Sequence, residues 1–316
     1  MRLLFLGSPG EAVPFLEACA REHEVAAVLT QPDKPSGRGL KLSPPPVKLA
    51  AQRLGLRVLQ PADPAEPAPE LQALGADMAV VVAYGRILKP EVLASTRHGF
   101  LNVHFSLLPR WRGAAPVAWT LLSGERRSGV SLFWIEEGLD TGPLQRQAPE
   151  DVREDDDEPT LMSRLVDLGV RELGSALGEV AEGRVRREPQ AGEPTRAPKL
   201  HAAIARLDFK QSAEEFHNRV RALQGGPKPY LLLKVPGREQ PLRVAVLKTA
   251  LEAGAEGPGE AGDLVRVERS RGILIRLRSG RLWISQVQPE GKKPVFSADF
   301  LNGLRLGPGG RLETLP

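Results

Sequence analysis

Asn102 and His104 are separated by one residue at the end of the apolar run Gly99-Phe100-Leu101. On an extended chain, residues two apart point to the same face, so an amide donor and an imidazole are aimed together. Histidine is the side chain that most readily gains and loses a proton near neutrality. An amide N–H beside it suits a developing oxyanion. A third residue, Asp140, follows the strand-like run Val130-Ser131-Leu132-Phe133-Trp134-Ile135 and sits within Leu139-Asp140-Thr141-Gly142. A carboxylate there can orient an imidazole and help move a proton. No Ser or Cys is clearly placed as a nucleophile, and Ser106 reads equally as a turn residue. The pattern suits direct acyl transfer, in which the acceptor brings its own nucleophile. An incidental strand histidine and a loop-capping carboxylate are the plain structural alternatives.

Such a trio must be carried at strand ends, and the first half of the chain alternates strand and helix signals. Strands are expected at 2–6, 24–30, 57–60, 77–83, 99–104 and 130–135. Helices are expected near 11–20, 46–54, 70–74, 90–94 and 116–122. The run Met78-Ala79-Val80-Val81-Val82-Ala83 is apolar at every position, as in a strand covered on both faces. The alternation predicts an α/β domain with a doubly wound, Rossmann-like, mostly parallel sheet over residues 1–182. The first turn, Gly7-Ser8-Pro9-Gly10, lacks the Gly-x-Gly-x-x-Gly spacing of a dinucleotide site, and no Gly-Lys-Ser/Thr loop is present. NAD and ATP are therefore disfavoured.

Residues 31–46 form a Pro- and Gly-rich stretch, long for a loop inside a compact domain. Lys34, Arg38 and Lys41 make it cationic, so it reads either as a clamp on phosphate or as a solvated excursion. The acidic run 150–158 precedes a helical pattern over 159–181, where carboxylates favour the positive helix end. Residues 183–206 read as a linker, polar and without clear periodicity. In 207–316, Ser212-Ala213-Glu214-Glu215 is a capping box opening a helix to about 223. Strands are expected at 230–235, 242–249, 263–268, 272–277 and 282–288, with a last short helix from Ser297. Five short strands with Gly-rich turns predict a smaller OB-like β-barrel.

At 316 residues the chain is long enough for two such domains. No apolar run approaches the ~20 residues that span a bilayer, and the N-terminus is too short for a signal peptide. The single cysteine, Cys19, excludes an intrachain disulfide framework and a Cys-based zinc site. A cytoplasmic protein is the simplest inference. Residues 1–200 carry 24 Lys and Arg against 27 Asp and Glu, whereas 201–316 carry 19 against 12. A basic C-terminal part invites a polyanion, with nucleic acid the leading candidate and charge for solubility the alternative.

These stretches together resemble the methionyl-tRNA formyltransferases. Asn102-Val103-His104 followed by Ser106-Leu107-Leu108-Pro109-Arg110-Trp111-Arg112-Gly113-Ala114-Ala115-Pro116 is similar to that family's signature. Leu139-Asp140-Thr141-Gly142 resembles the motif of formyltetrahydrofolate-dependent transferases at large. Thr30-Gln31-Pro32-Asp33, Gly37-Arg38-Gly39 and Val82-Ala83-Tyr84-Gly85 also match. The resemblance covers nearly the whole chain and weakens beyond residue 225. Phe105 stands where the family usually has a small residue, Ser131 replaces the usual Thr, and 225–230 differs from the family's aromatic-rich version.

The resemblance implies that Asn102, His104 and Asp140 are catalytic. It implies 10-formyltetrahydrofolate as the formyl donor, and the α-amino group of methionyl initiator tRNA as the acceptor. The folate would lie against Tyr84, Gly85, Arg86, Ile87 and Leu88 and against Ser106, Leu107, Leu108 and Pro109, with backbone groups of Arg86 and Leu88 toward the pterin. Lys34, Arg38 and Lys41 would reach the tRNA, and the OB-like domain would grip it. The enzyme would be a monomer.

The chemistry expected is attack by a neutral amine, whose reference pKa is ~7.7–8.0 and lower in an aminoacyl ester. Asn102 and a protonated His104 would stabilise the oxyanion. Asp140 would hold the imidazole and help pass a proton to the leaving folate nitrogen. No metal is needed, because the site supplies its own donors. A transferase for a small amine, such as an amino sugar or a ribonucleotide, would keep the same trio. It would not need the basic loop or the basic C-terminal part. A non-catalytic RNA-binding protein would not need the trio.

Overall fold

A computed structural model describes residues 1–36, 41–63, 65–235, 239–254 and 258–315. The chain divides into two compact units. One comprises Met1–Pro116, Arg127–Asp151 and Met162–Pro198; the other comprises Val117–Arg126, Val152–Leu161 and Lys199–Pro316.

The strands of the first unit are β1 (Arg2–Gly7), β2 (Glu24–Leu29), β3 (Lys34–Ser36), β4 (Lys41–Ser43), β5 (Val58–Leu59), β6 (Met78–Val82), β7 (Phe100–His104), β8 (Arg112–Gly113), β9 (Arg127–Trp134), β10 (Leu144–Asp151) and β11 (Arg196–Ala197). Seven of them form one sheet in the order β10-β9-β7-β6-β1-β2-β5. Pairing is parallel from β7 through to β5, and antiparallel for β9 on β7 and β10 on β9. The expected mostly parallel sheet is thus present. The chain runs outward from β1 to β2 and β5 on one side, and to β6 and β7 on the other. The switch point lies between β1 and β6, and in open α/β sheets ligands bind at the carboxyl ends beside it.

The central strands are apolar at every position because both faces are covered. Leu4, Leu6, Ala79, Val81 and Phe100 belong to one buried cluster. On the other face, a Cβ at Gly169 would meet Phe15 at 2.8 Å and Val103 at 3.5 Å, so the helix Glu158–Ala181 rides directly on the sheet. By alternation, Asn102 and His104 extend the same face as Phe100.

Three features depart from the expected layout. The strand β10 was not expected: it has no apolar run and carries Pro149, Arg146 and Asp151, which marks an edge strand. The stretch read as one long loop at 31–46 contains two short strands, β3 and β4, paired antiparallel. Residues 183–198, expected within a linker, run along the first unit. Trp134 Nε1 donates to the Arg186 carbonyl, Leu144 and Glu188 exchange backbone hydrogen bonds, and β11 pairs with β8 in parallel.

The second unit holds β12 (Tyr230–Lys234), β13 (Leu242–Leu251), β14 (Leu264–Glu268), β15 (Gly272–Arg276), β16 (Arg281–Pro289), β17 (Val295–Phe296) and β18 (Glu313–Thr314). The order is β14-β15-β16-β13-β12-β18, with β17 on β16. Every pairing is antiparallel. Leu312 N–H donates to the Gly262 carbonyl and Leu264 N–H to the Gly310 carbonyl, while β18 pairs with β12. One C-terminal segment therefore joins both sheet edges and closes the barrel. Its core includes Phe216, Val246, Ile275, Leu282 and Leu301. The helix Ala213–Ala222 opens on the expected capping box, with Ser212 and Glu215 reciprocally bonded. Among the described residues, no helix is long and apolar enough to cross a membrane.

Candidate active site

His104 closes β7, opposite Ser131 of β9, and Asn102 lies opposite Phe133. Because β9 runs antiparallel to β7, its end at Trp134 lies beside Leu101, away from His104. The loop between β9 and β10 folds back to bring Asp140 to the imidazole. Asp140 Oδ2 lies 3.8 Å from His104 Nδ1 and accepts a 2.7 Å hydrogen bond from Gly113 N–H. This loop is shaped by close approach: a Cβ at Gly142 would stand 1.8 Å from the Trp134 carbonyl oxygen, so no side chain fits there.

His104 is only 6% exposed. Its Nε2 lies 2.9 Å from the carbonyl oxygen of Trp111. A carbonyl only accepts, so Nε2 carries the hydrogen, and in the neutral ring Nδ1 presents a lone pair toward Asp140. Burial holds the imidazole below its usual pKa; the nearby Asp140 carboxylate and the Trp111 carbonyl work in the opposite direction. The net effect of these influences is downward, which favours the neutral form of the ring. Its partner in a hydrogen bond is the Trp111 carbonyl, whereas Asp140 stands just beyond hydrogen-bond reach. The Phe133 ring meets the imidazole edge-on at 6.3 Å.

The turn after His104 is fixed from several sides. Phe105 packs on Phe15 with ring centroids 6.2 Å apart, which accommodates the bulky residue at this place. Ser106 Oγ donates to the Arg110 carbonyl. The fully buried Ser131 donates to the Ser106 carbonyl at 2.6 Å and accepts from Leu108 N–H at 3.0 Å. Gln147, on the unexpected β10, donates to Ser131 Oγ and to the Leu108 carbonyl. Ser106, Leu107, Leu108 and Pro109 are thus one rigid turn. Leu108 and Pro109 are buried and Leu107 is partly exposed.

Tyr84, Gly85, Arg86, Ile87 and Leu88 follow β6. Tyr84 is buried, which raises its phenol pKa, and its carbonyl accepts from Gln31 Nε2 at 2.8 Å. The Arg86 guanidinium is bonded to the carbonyls of Pro61 and Ala62. Ile87 is 85% exposed, the most exposed large apolar side chain of the described residues. Lys34 lies on β3 and its ammonium donates to Gln31 Oε1. Arg38 lies outside the described residues, as does the side chain of Lys41, whose backbone is in β4. Cys19 is buried, and burial pushes its thiol up to about 12, so it is no nucleophile. Among the described residues, no three His, Cys, Asp or Glu side chains gather as a metal site requires.

Two side chains that the sequence reading passed over close the site. Gln190 donates to the carbonyls of Asp140 and Gly142 and accepts from Arg112. Thr195 accepts from the backbone N–H of Trp111. Both lie in the stretch read as linker, and nothing in their local sequence signals the contact.

A mostly parallel sheet bearing an Asn-His pair at a strand end, joined to an antiparallel barrel, defines the formyl transferase class. The formyl transferase family matches residues 1–177, and the formyl transferase C-terminal domain matches residues 199–305. The methionyl-tRNA formyltransferase of Thermus thermophilus is 43% identical over 314 residues, covering 99% of each chain. That of Elusimicrobium minutum is 37% identical over 329 residues and covers 98% of each. The N-formyltransferase of Helicobacter canadensis, solved with folinic acid and dTDP-3-aminofucose, superposes with a TM-score of 0.66 at 19% identity. That match covers 89% of this chain and 98% of the other, a likeness of fold. The chain belongs to the methionyl-tRNA formyltransferase family.

Proposed function

We propose that formyl transfer to methionyl-tRNA, the reaction of this family, runs here through Asn102, His104 and Asp140. The donor is 10-formyltetrahydrofolate and the acceptor is the α-amino group of methionine on initiator tRNA. The observation that carries this reading is the meeting of a buried imidazole and a carboxylate 3.8 Å apart, beside a strand-borne amide.

The amine attacks the formyl carbon, and the carbonyl electron pair moves onto oxygen. Asn102 donates to that oxyanion. As the new C–N bond forms, the nitrogen sheds a proton, and the Nδ1 lone pair of His104 accepts it. The resulting imidazolium faces the Asp140 carboxylate, which stabilises it. Collapse re-forms the carbonyl and breaks the bond from carbon to the folate nitrogen. The proton passes from His104 to that nitrogen, and the ring returns to its neutral state.

The folate lies along the two loops at the carboxyl ends of β6 and β7. Arg86, whose guanidinium is committed to Pro61 and Ala62, serves with its backbone, and the exposed Ile87 covers the apolar part of the donor. Lys34, Arg38 and Lys41 take the acceptor end of the tRNA, and the basic barrel takes its body. The protein works as a cytoplasmic monomer.

Single-turnover transfer tests the reading. Asn102→Ala and Asp140→Ala should each slow it by about 10²–10³-fold, with melting curves like those of the parent. Near-parental rates in both variants would remove the trio from the mechanism.

A further inference from the structure

Among the described residues, four non-glycine residues have a left-handed backbone: Ala83 (φ 47°), Trp111 (φ 61°), Asp140 (φ 54°) and Arg305 (φ 57°). Arg305 terminates a helix, where this conformation is ordinary. The other three lie in the loops of the active site. A bulky residue such as Trp111 holds this conformation only where its surroundings over-determine it.

One stretch bonds the backbone of both Trp111 and Asp140, while Gly113 N–H holds the Asp140 carboxylate. Thr195 Oγ1 accepts the Trp111 N–H at 2.8 Å. Arg112 N–H donates to the Thr195 carbonyl at 2.9 Å. Gln190 Nε2 donates to the carbonyl oxygens of Asp140 at 2.9 Å and Gly142 at 2.8 Å, while its Oε1 accepts from the Arg112 guanidinium. What these bonds hold in place is the Trp111 carbonyl on His104 Nε2, and the Asp140 carboxylate opposite Nδ1.

We infer that Thr195 and Gln190 are positioning residues: Thr195 sets the His104 tautomer through the Trp111 backbone, and Gln190 sets the distance of Asp140 from the ring. Neither touches the reacting atoms. The inference rests on the reading of His104 as the proton carrier. Asp140 is the charged side chain facing the imidazole. The Phe133 ring and the Trp111 carbonyl also contact it, and Arg110 lies over the Trp111 ring, 5.5 Å from its centroid. Replacing Thr195 by Val removes the hydroxyl that accepts the Trp111 N–H. The turn then shifts to satisfy that donor elsewhere, and the carbonyl leaves His104.

The test measures ¹⁵N-histidine NMR, the pH profile of kcat, and KM for methionyl-tRNA in the full chain. Thr195→Val should lose the Nε2–H tautomer of His104 and lower kcat by about 10–10²-fold, with KM unchanged. Thr195→Ser, which keeps the hydroxyl, should restore both. Gln190→Leu should move the acid limb of kcat to lower pH, because the carboxylate that favours the imidazolium drifts away. A Thr195→Val protein that keeps both the tautomer and kcat overturns the inference, as does failure of Thr195→Ser to rescue. Should Thr195→Val not fold, an unmoved acid limb in Gln190→Leu overturns it. His104→Asn separates the two readings: full activity there defeats the proton-carrier role, whatever the NMR of the Thr195 variants shows.

Discussion

His104 is governed by opposing effects of unequal size. Burial lowers its pKa, and Asp140 with the Trp111 carbonyl recovers part of the loss. A ring acting as proton acceptor must be neutral, so activity is lost as pH falls through its folded pKa, which lies below 6.5. Removing the Asp140 charge removes a raising influence. Asp140→Asn should therefore slow turnover and move the acid limb of kcat to still lower pH. The acceptor amine contributes a second ionisation that this substitution leaves alone. A limb that moves upward in Asp140→Asn would contradict this electrostatic account. The spacing of Asn102 and His104 was legible in the sequence, because alternation on a strand is a local rule. The Trp111 carbonyl was not, since a backbone acceptor has no residue signature and the Trp111 N–H bonds to Thr195, 84 positions away.

At the level of elements, legibility followed burial pattern. Strands covered on both faces announce themselves as apolar runs, and β1, β6 and β7 lie within about one residue of their expected places. The edge strand β10 carries charges and proline, so nothing in its sequence distinguishes it from the acidic loop that follows. The 183–198 stretch is polar because it lies on the surface of the first unit, and it is held by hydrogen bonds rather than by an apolar face. The helix Ala213–Ala222 was legible through its capping box, but one consequence was not. Its buried His217 lies 2.9 Å from Thr249 Oγ1, and burial lowers its pKa to about 4. In the unfolded chain the ring titrates near ~6.5. Above that pH both states are neutral and there is no linkage. Between about 6.5 and about 4 the unfolded state binds a proton that the native state does not, so stability falls by up to about 3 kcal/mol. In urea melts, the stability advantage of the parent over His217→Gln should shrink as pH falls from 7 to 4.5. A constant advantage would show that this ring is not the titrating group.

For the whole molecule, matches to both domain families and near-complete coverage of relatives at about 40% identity fix the family. The physics of the residues adds what the reaction requires of each unit. On the proposed mechanism, the first unit would supply the proton carrier, the oxyanion donor and two loops for the donor. The second is a closed antiparallel barrel within the more basic part of the chain, suited to a polyanion. A small-amine transferase would need the first unit's chemistry and no basic barrel, so the acceptor discriminates between the readings. The direct measurement is transfer of labelled formyl from 10-formyltetrahydrofolate to three acceptors offered in parallel: methionyl initiator tRNA, free methionine and a nucleotide-linked amino sugar. The account predicts label on the methionyl-tRNA alone. Label on the amino sugar at a comparable or greater rate, or none on the tRNA, would contradict it.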